Sequence, residues 1–109
     1  MEVHFENVWS ELGSGYSESV YQSALEFELQ EYGVRYDRRP VNITYKGYSV
    51  GVMFTDLVVN NKYVVELKAV KKLTQEHSRQ LEIYMKTLDI KDGYLVNFGN
   101  DLDVIKLSL

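Results

Sequence analysis

The chain has 109 residues, 45% of them hydrophobic and 13% aromatic, which is enough for one core and one domain but not two. It contains no cysteine, so disulfides, thiolate metal sites and cysteine nucleophiles are excluded, and no apolar run approaches a membrane span. A formal net charge of −4 argues against broad electrostatic binding to nucleic acid while leaving room for a local basic track.

With a single proline and no biased tract, no segment reads as a linker or tail. The first residues are too polar for a signal peptide, so a cytoplasmic protein is expected. His4 to Leu12 sets Phe5, Val8, Trp9 and Leu12 at helical spacing and predicts a short amphipathic helix, broken by Gly13-Ser14-Gly15. Ser14 or Ser17 is placed to cap a second helix from about Tyr16 to Tyr32, stopped by Gly33. Its apolar stripe reads as Tyr21, Leu25, Leu29 and Tyr32, widened by Val20, Ala24 and Phe27. Glu18 lies one turn before Tyr21, so its carboxylate is expected along the buried stripe.

After Arg38-Arg39-Pro40 the period changes to two. Val41, Ile43 and Tyr45 alternate with polar residues, Lys46-Gly47 turns the chain, and a returning strand from Tyr48 is expected to bend at Gly51 and continue to Val59. Asn60-Asn61 signals a turn, because asparagine tolerates left-handed backbone angles, and Tyr63 to Ala69 is the next strand. Thr74 is placed to cap a third helix that buries Leu81, Tyr84, Met85 and Leu88. Tyr94 to Phe98 and Asp103 to Leu107 complete the strands. The order predicts a mixed sheet flanked by helices, with the last long strand made parallel by a crossover.

Asp56, Glu66 and Lys68 stand among Val and Leu residues of the central hairpin, where charge is costly unless paired or metal-bound. Alternation puts Val64, Glu66 and Lys68 on one face of their strand, and Phe54, Asp56 and Val58 on one face of the other. The two acids share a face only if Asp56 pairs with Glu66, which sets Val59 opposite Tyr63 and leaves Asn60 to Lys62 as a three-residue loop. A two-residue loop would set them on opposite faces. Two carboxylates with a backbone carbonyl such as that of Leu67 suit Mg²⁺ or Mn²⁺, with Lys68 beside them to orient water or offset developing charge. The competing reading is an ordinary Glu66–Lys68 ion pair at a solvated sheet edge.

Gly15-Tyr16-Ser17-Glu18-Ser19-Val20-Tyr21 resembles the signature of the GxxExxY proteins, within the PD-(D/E)XK nuclease superfamily. Leu12-Gly13, Glu66-Leu67-Lys68-Ala69-Val70, Gln80-Leu81 with Tyr84, and Asn97-Phe98-Gly99 extend the likeness over roughly Phe5 to Lys106. It departs from the family pattern at Trp9, Ser14 and Thr55. The resemblance implies an αβββαβ core and Mg²⁺- or Mn²⁺-dependent hydrolysis of nucleic acid, DNA in the first instance. It implies Asp56 and Glu66 as metal ligands, Lys68 as the catalytic lysine, and Glu18 completing the metal shell directly or through water. Gln80 and Tyr84 match the Gln-x-x-x-Tyr pair that supports such a site.

Arg35, Arg38 and Arg39 read either as a solvated loop or as a phosphate track, as do Lys71 and Lys72. His4 and His77 are expected at the surface, and Tyr21 and Tyr84 near the acids. The alternative function is a catalytically silent nuclease-fold module for nucleic-acid binding or assembly. A homodimer or a partner protein is compatible with so small a domain.

Overall fold

A computed structural model describes all 109 residues. Helices α1 (Glu2–Leu12) and α2 (Glu18–Glu31) come first, followed by strands β1 (Tyr36–Asp37), β2 (Pro40–Tyr45), β3 (Tyr48–Phe54), β4 (Leu57–Val59) and β5 (Tyr63–Lys68). Helix α3 (Gln75–Leu88) and strands β6 (Asp92–Phe98) and β7 (Leu102–Ser108) complete the chain. Five strands form one sheet in the order β1-β4-β5-β6-β7, in which only β5 and β6 run parallel. Parallel neighbours need a long crossover, and α3 supplies it. The mixed sheet flanked by helices is as expected. No helix is long and apolar enough to cross a membrane.

Period-two alternation divides the sheet between two cores. Leu57, Val59, Val65, Leu67, Tyr94, Val96 and Phe98 pack with Phe5 and Val8 of α1 and Tyr21, Leu25 and Leu29 of α2. Val58, Val64 and Leu95 turn the other way and pack with Leu81, Tyr84 and Met85 of α3. Gly93 lets α3 approach closely, since a Cβ there would sit 2.6 Å from the Met85 sulfur and 3.1 Å from the Val64 carbonyl oxygen.

The central hairpin takes the register that brings the acids together. Val59 faces Tyr63, Val58 faces Val64 and Leu57 faces Val65, around the loop Asn60 to Lys62. Asn60 and Asn61 hold φ of 54° and 53°, the left-handed values that asparagine tolerates.

Four expectations change. The strand expected from Tyr48 to Val59 is two strands in different sheets, because β3 pairs only with β2 and β4 belongs to the main sheet. Thr55 makes the transition: fully buried, its N–H donates to the Arg39 carbonyl and its hydroxyl accepts from the Arg39 N–H, both at 3.0 Å. Tyr36–Asp37 adds a short edge strand on β4, too brief to show a period in sequence. Val20, Phe27 and Tyr32 are exposed, so the buried stripe of α2 is Tyr21, Leu25 and Leu29 alone, about the width one sheet face covers. The histidines are not free surface groups. His4 Nδ1 lies 3.3 Å from Glu28 at the α1–α2 seam, and His77 reciprocates the Thr74 cap of α3.

Candidate functional site

Asp56 and Glu66 follow the parity of Val58 and Val64 and therefore lie on the α3 face of the sheet. One residue beyond the Leu57–Val65 pair, the ladder passes from backbone to side chains. The Asp56 N–H donates to Glu66 Oε2 at 2.7 Å, and the Leu67 N–H donates to Asp56 Oδ2 at 2.8 Å. Each carboxylate thus spends one oxygen on the backbone of the other strand. No buried side-chain oxygen lacks a partner, so the second oxygen of each acid reaches solvent.

This placement makes both groups reluctant to ionise. Glu66 is 3% exposed; burial, then the Asp56 charge, push its carboxyl up to about 8, against the Asp56 N–H and Lys68. Burial also raises Asp56, opposed by the Leu67 N–H and the charges of Lys68 and Arg38. Lys68 shares the Glu66 face but forms no direct ion pair. The solvated Glu66–Lys68 pair is therefore not what the fold builds.

Glu18 does not lie along the buried stripe. It is exposed at the first turn of α2, beyond the layer of core residues that covers Tyr21. Its charge still raises Glu66, after burial and the Asp56 charge, without any direct contact. Gln80 Nε2 donates to the Tyr84 hydroxyl at 2.8 Å, and the buried Tyr84 phenol is raised by desolvation and then by Glu66. The third helix thereby forms one wall beside the acids. Tyr21 belongs elsewhere: its hydroxyl donates to the Gly13 carbonyl at 2.6 Å, accepts from the Tyr16 N–H, and its ring stacks on Phe98. It shapes the glycine turn and does not reach the acids.

The basic residues divide. Arg38 Nε donates to the Thr55 carbonyl, its guanidinium covers the Phe54 ring at 4.9 Å, and its charge reaches Asp56. Arg39 turns the other way, to Asp37 and Asn61, and lines the largest hollow, about 530 Å³, at the β1–β4 edge away from the acids. Lys71 and Lys72 are exposed just past β5; Lys71 lines a groove with Gly15, Tyr16 and Gly99.

Two further residues position the site. Gln22, one turn past Glu18 on α2, donates from Nε2 to the Asp56 carbonyl at 3.2 Å. Its i+4 spacing from Glu18 was the available signal. Asn97, 3% exposed, grips Val70 twice, accepting from its N–H at 3.0 Å and donating to its carbonyl at 2.8 Å, which fixes the chain leaving β5. Nothing in the pattern of a buried β-strand marks such a contact.

No group of three or more acids and histidines is close enough to hold an ion by side chains alone. The donor set that does converge is two carboxylates plus Leu67. A strand residue directs its N–H and C=O to the same neighbour, and the Leu67 N–H meets Asp56, so its carbonyl opens on the same gap. Mg²⁺ commonly takes one or two carboxylates and keeps several waters, so this set fits it.

A family model described as the PD-(D/E)XK nuclease superfamily matches residues 1–107. The crystal structure of SSO0001 is similar in fold, with a TM-score of 0.61 at 21% identity over 84% of this chain and 50% of that one, so this chain spans about half of that protein's length. No curated protein matches the sequence significantly.

Proposed function

Because the chain belongs to the PD-(D/E)XK nuclease superfamily, we propose that it is a divalent-metal-dependent nuclease that hydrolyses nucleic-acid phosphodiesters, DNA in the first instance. The observation that carries this reading is the crossed pair of acids. Asp56 and Glu66 each bind the opposite strand's backbone and turn a free oxygen to solvent, with burial and mutual repulsion left uncompensated by any direct cation. Such a pair calls for a divalent ion. Within the superfamily, Gly15, Glu18 and Tyr21 support placement among the GxxExxY proteins.

Asp56, Glu66 and the Leu67 carbonyl would hold the ion, with Glu18 reaching its water shell. The ion, when bound, supplies Lewis-acid charge at the scissile phosphate and its attacking water. Lys68, unpaired on the same face, holds the attacking water by hydrogen bonding and offsets charge gathering on the phosphate. Gln80 and Tyr84 keep the α3 wall in register with the acids, and Arg38 adds positive charge at the Asp56 side.

The silent-module alternative draws on one observation, the lack of a third acid close enough to complete a side-chain ion site. The two readings separate by Mg²⁺- or Mn²⁺-dependent cleavage of single- and double-stranded DNA and RNA. Cleavage should vanish in Glu66→Ala and fall at least about a hundredfold in Lys68→Ala. A wild type that cuts nothing, or activity that survives both substitutions, removes the enzymatic reading.

A further inference from the structure

The β2–β3 hairpin stands apart from the main sheet as an arm, rooted by Val41 in the α3 core. Val41 and Ile43 face α3, with Met53 the partner of Val41; past Ile43 the register shifts, and Tyr45 and Tyr48 form the last pair at the tip. At the tip, Tyr45 is 64% and Tyr48 76% exposed, far more than core aromatics. Between arm and helix, Met53 and Ile83 wall a slot of about 350 Å³ that Gln80 closes on one side, with Glu76, His77 and Arg79 at its rim. Gln80 donates to Tyr84, which packs with Val64 on the sheet face that also carries Glu66.

Basic residues concentrate on the two segments adjoining the acids. In a chain of net charge −4, Arg38 to Thr55 contains no acid and carries Arg38, Arg39 and Lys46. Leu67 to Gln75 again contains none and carries Lys68, Lys71 and Lys72. Arg39 is tied to Asp37 and Asn61 at the β1–β4 edge, and the other five of these basic residues, out of 12 in the chain, form no direct ion pair. A polyanion is the complementary occupant, and a second copy bringing the same arm would oppose like charges.

We propose that this arm and α3 grip unpaired nucleotides, making single-stranded nucleic acid the substrate class. This rests on the nuclease reading for the identity of the neighbouring site. Bases stack on Tyr45 and Tyr48, and one base enters the slot between Met53 and Ile83. Aromatic rings accept any base with an open π-face, which a duplex hides in its stack. The hollow, about 350 Å³ and open to solvent, has room for a base against Met53 and Ile83.

The test is fluorescence anisotropy of the full chain in EDTA, using a labelled strand of about 15 nucleotides, as DNA and as RNA, and the corresponding duplexes. Single strands should bind at least about tenfold tighter than duplexes. A Tyr45→Ala/Tyr48→Ala variant should lose about tenfold or more of that affinity with an unchanged melting temperature, while Tyr48→Trp keeps it. Equal or tighter duplex binding, no binding at all, or indifference to the double substitution overturns the proposal. So does sedimentation showing that the arm substitutions dissolve a dimer and leave strand affinity intact. Cleavage is scored separately with Mg²⁺. A chain that binds strands through its tyrosines but never cuts keeps this inference and loses the hydrolytic reading. One that cuts without preferring single strands does the reverse.

Discussion

Replacing Glu66 by Gln keeps an oxygen to accept the Asp56 N–H and removes the charge that burial and Asp56 oppose. Burial and the Asp56 charge push the wild-type carboxyl up to about 8 from an ordinary value of 4.5. Between these values the folded state keeps a proton that the unfolded state has released, so stability falls as pH rises from about 4.5 to 8. The full shift corresponds to an upper limit of about 5 kcal/mol, comparable to the entire stability of many small domains. The pair titrates jointly with Asp56, itself raised, which acts in the same direction. Glu66→Gln should therefore match the wild type near pH 5 and exceed it near pH 8. Even a third of the limit, about 2 kcal/mol, raises the melting temperature by roughly 8 °C in a domain of this size. Thermal melts of both proteins in EDTA at half-unit pH steps measure the difference, and the other titrating groups cancel in it. Added Mg²⁺ should restore the wild type at pH 8 and do little for the variant. A difference that is flat with pH, or a variant less stable than wild type at pH 8, refutes the reasoning.

Asn97→Ala leaves both Val70 backbone groups without their buried partner and should cost about 2–4 kcal/mol in urea unfolding. Gly93→Ala forces a Cβ against Met85 and the Val64 carbonyl, so a loss of about 1–3 kcal/mol is expected in the same assay. Tyr21→Phe removes the hydroxyl that joins Gly13 to Tyr16 and should cost about 1–2 kcal/mol while leaving Mg²⁺ affinity by calorimetry unchanged. Gln22→Ala should do the opposite, weakening Mg²⁺ binding several-fold by freeing the Asp56 carbonyl, with a stability change below about 1 kcal/mol.

Much of the fold is legible in the chain because strand alternation is a local property. Val58, Asp56, Val64 and Glu66 carry their faces in their spacing, and Asn60-Asn61 carries the turn that sets their register. The position of Asp56 opposite Glu66 rests on the three-residue loop Asn60 to Lys62, which the Asn-Asn signal alone does not distinguish from a two-residue one. The break at Thr55 is not legible: no glycine, proline or turn pair in Phe54-Thr55-Asp56-Leu57 marks a strand end, and the buried contacts of Thr55 with Arg39 sit where the chain leaves one sheet for another. The outward turn of Glu18 and Phe27 is likewise hidden, since helical spacing ranks the faces of α2 without saying how wide a surface the sheet offers it.

Sequence alone determined that Glu66 and Lys68 would share one face, because a period of two leaves a strand side chain only two directions; Asp56 joins them only with a three-residue loop. Tertiary structure decided what that face meets. It crossed each acid onto the other strand's backbone, brought Gln22 and Tyr84 in from two helices, and left Arg39 outside. Those contacts join residues far apart in the chain, and their distances depend on how the helices and the arm pack, which no local pattern encodes.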